Sequence, residues 1–155
     1  MFGADPLSFA CVFIALYAAH EVGDQWVQTH HQACGKGRPG WSGALLCAAH
    51  VATLTATKAA ALALVAGVLQ LPLTGWAVVA GLAVDAASHY WADRRVTLAA
   101  LARAVGKAEY YALGAPRAGH DDNVCAGTGS FHLDQAWHKG WLLVAALICC
   151  LGVNA

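Results

Sequence analysis

From Leu45 to Gln70 the chain runs through twenty-six residues that contain one cation, Lys58, one imidazole, His50, and no carboxylate. A helix of that length rises about 39 Å, more than the roughly 30 Å hydrocarbon core of a bilayer. A water-facing helix would alternate apolar and charged stripes, and this stretch has no charged stripe to turn outward. Over the whole chain 59% of residues are hydrophobic and 12% charged, against about 25% charged in an ordinary soluble domain. The expected class is therefore an all-α integral membrane protein. A small soluble helical protein is the competing class, and it lacks the charge it would need for a hydrated surface.

Four segments are long and apolar enough for spans: about residues 7–28, 42–68, 74–93 and 131–152. Gln70 to Gly75, QLPLTG, reads as a tight turn between the second and third. Ser130 is the expected N-cap of the fourth. Small residues such as Ala59, Ala60, Ala63 and Gly67 would let neighbouring helices approach closely. The start, MFGADPLSF, has no basic run before its apolar stretch, so the first helix is expected to be retained rather than cleaved as a signal peptide.

Lys36 and Arg38 lie in the first connection, and Arg94, Arg95, Arg103, Lys107 and Arg117 in the third. The second connection and both tails carry no lysine or arginine. The expectation is a membrane protein with these basic loops cytoplasmic and both termini outside. Trp26, Trp41, Trp91 and Trp137 fall at the four helix ends on that side, as an aromatic belt does. Net charge is zero with histidine neutral, so a nucleic-acid partner is not expected. Membrane lipids are the expected partners, and an oligomer is left open.

The third connection, residues 94–130, is long for a hairpin. Its first half places Leu98, Leu101, Ala102 and Val105 on one face and Arg103 and Lys107 on another, which predicts an amphipathic helix at the interface, ended by Gly114 and Pro116. The polar, glycine-rich remainder reads as a loop or lid. Of six cysteines, Cys11, Cys47, Cys149 and Cys150 lie in apolar spans and read as small core residues, while Cys34 and Cys125 are in loops without metal-ligand spacing.

The polar residues that interrupt the spans are mostly histidine and aspartate. His20, Asp24 and Gln28 fall at i, i+4 and i+8, as do Asp85, His89 and Asp93, and Asp134 and His138 are again four apart. That spacing lines one helix face. Counted inward from the basic side, the His/Asp groups of all four helices fall in one layer, His20 and His50 each roughly 12 Å deep. A charged group in the bilayer costs about 2.5–3.5 kcal/mol on insertion scales, so such a gathering needs compensation. A hydrogen-bonded packing core is one form of it. Several imidazole nitrogens with carboxylate oxygens also match a divalent cation, zinc first, with manganese or iron as alternatives. The candidate ligands are His20, Asp24, His50, His89, Asp93 and His138. Asp85, Asp134 and Gln135 are candidate catalytic residues, with Asp85 as a base, and Gln28, Arg94 and Lys139 are candidates for substrate contact. Lys58 lies further along the second helix, either turned outward or paired inside.

His20-x-x-x-Asp24-x-x-x-Gln28, His50, His89-x-x-x-Asp93-Arg94 and Asp134-Gln135-x-x-His138 together resemble the bacterial and phage membrane family called domain of unknown function 3307. The likeness spans nearly the whole chain and implies a membrane protein with those positions singled out. It brings no activity with it, and Asp85 lies outside the pattern. A looser likeness to membrane-bound metal-dependent hydrolases, which also cluster His and Asp on apolar helices, implies an enzyme by analogy.

The expected function is an intramembrane metal-dependent hydrolase at the cytoplasmic face, holding one or two divalent ions and acting on a lipid or lipid-linked phosphoester. Two alternatives remain: a metal-ion or proton transporter, and a non-catalytic interaction protein with a structural His/Asp core. A conduit needs polar residues through to the far side, where FACVFIAL, LALVAGVL and LVAALICC are almost wholly apolar.

Overall fold

Asp5 opens the first helix. Its carboxylate accepts a hydrogen bond from the Ser8 backbone N–H at 2.7 Å, which holds its pKa below the ordinary carboxylate value, and Pro6 begins the helix where no N–H is required. The computed structural model describes residues 5–116 and 128–152, and these are all-helical. Helix α1 spans Pro6–Val22 and continues into a π turn, Gly23–Val27. A short α2, His30–Gly35, and then α3, Gly40–Leu69, follow. Next come α4, Gly75–Asp93, two short helices, α5 Val96–Ala104 and α6 Ala108–Ala112, and finally α7, Gly129–Cys149. Two helical stretches are long and apolar enough to cross a membrane, Pro6–Val27 and Gly40–Leu69.

The four long helices close into a ring in which α1 packs on α3, α3 on α4, α4 on α7 and α7 on α1. The α4–α7 contact is close because of Gly81, where an added Cβ would lie 2.4 Å from Cys149 Sγ and 2.7 Å from the Ala145 carbonyl oxygen. One end of the ring is filled by Val12, Leu16, Leu62, Leu82 and Leu142. Its termini are tied by the Thr74 hydroxyl, which donates to the Leu151 carbonyl at 2.8 Å. At the other end the interior is polar. On the outer surface Leu7, Ile14, Leu64, Val68, Val79 and Leu147 are all exposed.

Several boundaries differ from the sequence reading, each for a local reason. The first helix does not run regularly to Gln28: the Gln28 N–H bonds to the Gly23 carbonyl five residues back, at 3.0 Å, which widens the last turn. Gln28 itself leaves the helix with ψ 125°, so it no longer shares a face with His20 and Asp24. The first connection contains α2, capped by Thr29, whose hydroxyl accepts from the Gln32 N–H while the Gln32 side chain accepts from the Thr29 N–H. Helix α7 is capped by Thr128 rather than Ser130. It starts earlier because Gly129, lacking a Cβ, sits directly against the Tyr110 carbonyl.

The amphipathic segment is two helices, broken at Gly106, which has φ +72°. Leu98 and Ala102 of α5 are buried, but Val105 at its end is exposed. The loop or lid expected before Ser130 lies, apart from its ends, outside the described residues.

Candidate metal centre

The π turn places Asp24 in the bundle interior. Gly23 permits this, since a Cβ there would meet Leu54 Cδ1 of α3 at 2.3 Å. One helical face of α4 supplies His89 and Asp93, four residues apart. His50 comes from α3 and His138 from α7, and His50, His89, Asp93 and His138 are all buried. The groups converge. His50 Nε2 lies 3.1 Å from His89 Nε2, 3.1 Å from Asp24 Oδ1 and 3.4 Å from Asp93 Oδ2. His89 Nε2 lies 3.2 Å from Asp93 Oδ2 and 4.0 Å from Asp24 Oδ1.

These separations suit a common cation. Bonds of about 2.0–2.2 Å from nitrogen and oxygen to a four- to six-coordinate ion leave neighbouring donors roughly 3–3.6 Å apart. Asp24, His50 and His89 form one group able to hold a metal ion, and His89, Asp93 and His138 form another. Several of the atoms concerned are buried without a hydrogen-bond partner, among them Asp24 Oδ1, Asp93 Oδ2 and His138 Nε2. Buried polar atoms are normally satisfied, and a cation shared among these converging atoms is one way to satisfy them.

The other sequence candidates are distributed around this centre. His20 is fully buried, its ring centroid 5.5 Å from that of His89 and 5.3 Å from that of His138, but it belongs to neither donor group, and both its nitrogens lack partners. Gln135 donates to Asp24 Oδ2 at 3.3 Å and so orients that carboxylate. Asp134 Oδ1 lies 3.4 Å from His138 Nε2. Asp85 is engaged elsewhere: Lys58, fully buried on α3, donates to its Oδ2 at 2.6 Å. That ion pair occupies the carboxylate expected to act as base, and it answers where Lys58 points.

Two of the expected substrate contacts have structural partners. Arg94 donates to the carbonyls of Lys36 and Arg38, both at 2.7 Å, and so clamps the first connection onto the end of α4. Lys139 is partly exposed, 3.5 Å from Glu21 and over the ring of Tyr17. Gln28 does line the cavity that opens beside the His/Asp cluster.

That cavity, about 540 Å³, lies between the π turn, α2, α5, α6 and the start of α7. Asp24, Asp93 and Asp134 form its inner wall, and Leu98, Phe131 and Pro116 contribute apolar surface. Two cations on it were not among the sequence candidates, Lys36 and Arg95. Lys36 Nζ lies 2.9 Å from Asp93 Oδ1 and 3.8 Å from Asp24 Oδ1. Arg95 has φ +59°, outside the conformations that side-chain-bearing residues ordinarily adopt. Tyr111 also faces the cavity, and burial raises its phenol pKa. No family model, curated protein or solved structure matches the chain.

Proposed function

We propose that the protein is a four-helix integral membrane metalloenzyme that hydrolyses a phosphoester at the membrane surface. One observation carries this reading: the His/Asp groups able to hold a metal ion come from four elements and reach, through Asp24 and Asp93, the wall of a cavity that also bears Lys36 and Arg95. The exposed apolar residues on α4 and α7, such as Val79 and Leu147, fit lipid contact along helices shorter than α3, and so support four spans. Trp26 and Trp41, both more than 80% exposed at the cavity end, fit an interfacial belt there. With the basic connections at this end, the cavity belongs on the cytoplasmic face of a bacterial inner membrane. Resemblance to the domain of unknown function 3307 family accords with this placement.

Asp24, His50, His89 and Asp93 would hold a divalent ion, zinc being best suited to the mixed nitrogen and oxygen set. Such an ion polarises a phosphoryl oxygen and lowers the pKa of water. Lys36 and Arg95 take the anionic group, and Leu98 and Phe131 the apolar portion of a lipid-linked substrate. In the net reaction a water oxygen forms the new bond to phosphorus, the ester oxygen–phosphorus bond breaks, and the departing alkoxide takes up a proton.

Transport fits less well. The polar interior extends from the metal-binding groups to Lys58 and Asp85, but Val12, Leu16, Leu62, Leu82 and Leu142 close the bundle beyond them. A relay of protons or ions would have to cross that plug.

The decisive experiment is metal content by plasma mass spectrometry on detergent-purified protein, beside His50→Ala and His89→Ala, followed by assay of metal-loaded protein on lipid phosphoesters. Stoichiometric metal lost in both folded variants, with phosphate release that depends on it, is the expected result. A metal-free wild type after reconstitution would leave the His/Asp set as a packing core.

A further inference from the structure

We infer that His138, Asp134 and the second oxygen of Asp93 form a second divalent-cation position, and that the Asp93 carboxylate bridges it to the first. The inference rests on the metal centre proposed above and deepens it. Asp93 presents its two oxygens to different groups. Oδ2 faces His50 Nε2 and His89 Nε2 at 3.4 and 3.2 Å, whereas His138 Nε2 approaches Oδ1, at 3.9 Å. Asp134 Oδ1 stands 3.4 Å from His138 Nε2, at the edge of the compact group that His138 forms with His89 and Asp93.

His138 is 98% buried, yet its Nε2 makes no hydrogen bond, so a donor atom aimed at two carboxylates has been left without a proton partner. The ring geometry supplies an independent argument. The His89 and His138 imidazoles are stacked, with centroids 3.8 Å apart and planes inclined by 15°. Two near-parallel imidazoles at that spacing, both directed at one carboxylate, can each bind a different ion. The ions of two-metal hydrolytic sites lie about 3.5–4 Å apart, a separation that one bridging carboxylate spans. Asp134 is 25% exposed and lines the cavity, so the second position is the one a substrate reaches from solvent. Lys36, 2.9 Å from Asp93 Oδ1, places its positive charge against the same oxygen. A paired centre stabilises both the attacking and the leaving oxygen of an in-line displacement, which accords with the phosphoester chemistry proposed above.

The test is manganese titration of the full chain in nanodiscs, with bound Mn²⁺ counted by equilibrium dialysis and examined by low-temperature electron paramagnetic resonance. Wild type is expected to bind two ions per chain and give the signal of an exchange-coupled pair. His138→Ala, and separately the partly exposed Asp134→Asn, are expected to keep one ion with the resolved hyperfine pattern of isolated Mn²⁺. Asp134→Asn keeps the test open if the buried substitution does not fold. Saturation of wild type at one uncoupled ion, or a coupled pair surviving in both variants, overturns the second position while leaving the first intact. A wild type that binds no ion overturns both.

Discussion

The Nε2 atoms of His50 and His89, carried by different helices, lie 3.1 Å apart in the buried interior of the bundle. Two neutral imidazoles can share that contact only if one donates and the other accepts, while the Nδ1 atom of each has no partner. A cation between them replaces the single proton with two metal–nitrogen bonds. Metal is therefore expected to stabilise the fold: at a free concentration 100 times its dissociation constant, one ion adds about 2.7 kcal/mol. A thermal scan of detergent-solubilised protein with and without zinc should show a higher midpoint with metal. The gap should close in His50→Ala and His89→Ala, with affinity at least ~100-fold weaker, since even outer-shell partners cost 10–100-fold. Equal midpoints for metal-loaded and metal-free wild type would count against the site.

Lys58 and Asp85 form a buried ion pair whose removal by halves should be costly. Lys58→Ala leaves a buried carboxylate, and Asp85→Asn a buried ammonium, each expected to destabilise by about 3–5 kcal/mol. Replacing both, as Lys58→Met with Asp85→Leu, should recover most of that loss because no charge is left unpaired. Reversible unfolding in mixed micelles would measure the cycle. The double variant should also bind metal with unchanged stoichiometry, since Asp85 is committed to Lys58 and belongs to neither donor group. Loss of metal in a folded double variant would return Asp85 to the centre.

The long helices and the His/Asp spacing were readable because apolar length and a four-residue interval are properties of sequence. So was α2, in principle: Thr29 and Gln32 make a capping-box pattern that charge counting passed over. The π turn was not readable, because a single hydrogen bond to the fifth residue back depends on how Gly23 meets Leu54. In the sequence Lys36 is legible only as a charge that orients the chain in a membrane. Its place against Asp93 arises from Arg94, whose guanidinium holds the Lys36 and Arg38 carbonyls and folds the first connection back over the bundle. Nothing local to Lys36 announces that contact.

Lys36 should affect metal and anion in opposite senses. Its ammonium competes for Asp93 Oδ1, so Lys36→Met is expected to tighten divalent-ion binding several-fold. The same change removes a cation from the cavity wall and should weaken inorganic phosphate binding to metal-loaded protein about tenfold, a loss of about 1.4 kcal/mol. Isothermal titration with zinc and then with phosphate separates the two effects. Weakening of both would mean that Lys36 holds the centre together rather than serving the ligand.

Gly81 is expected to tolerate no larger residue at the α4–α7 contact. An added Cβ meets Cys149 Sγ at 2.4 Å and the Ala145 carbonyl oxygen at 2.7 Å, and the backbone atom cannot swing aside as a side chain does. Gly81→Ala must therefore push α7 away from α4, and overpacking of this kind costs about 1–3 kcal/mol. The displacement would be transmitted to the centre, because His89 and Asp93 lie on α4 while His138 lies on α7. A folded Gly81→Ala protein should accordingly be less stable and also bind metal more weakly, most of all at the position that uses His138. Gly67, on α3, has open space where a Cβ would stand, and Gly67→Ala is the matched control. Thermal midpoints and manganese counts on the pair would check both expectations, and indistinguishable values for the two variants would show that the α4–α7 spacing does not set the metal geometry.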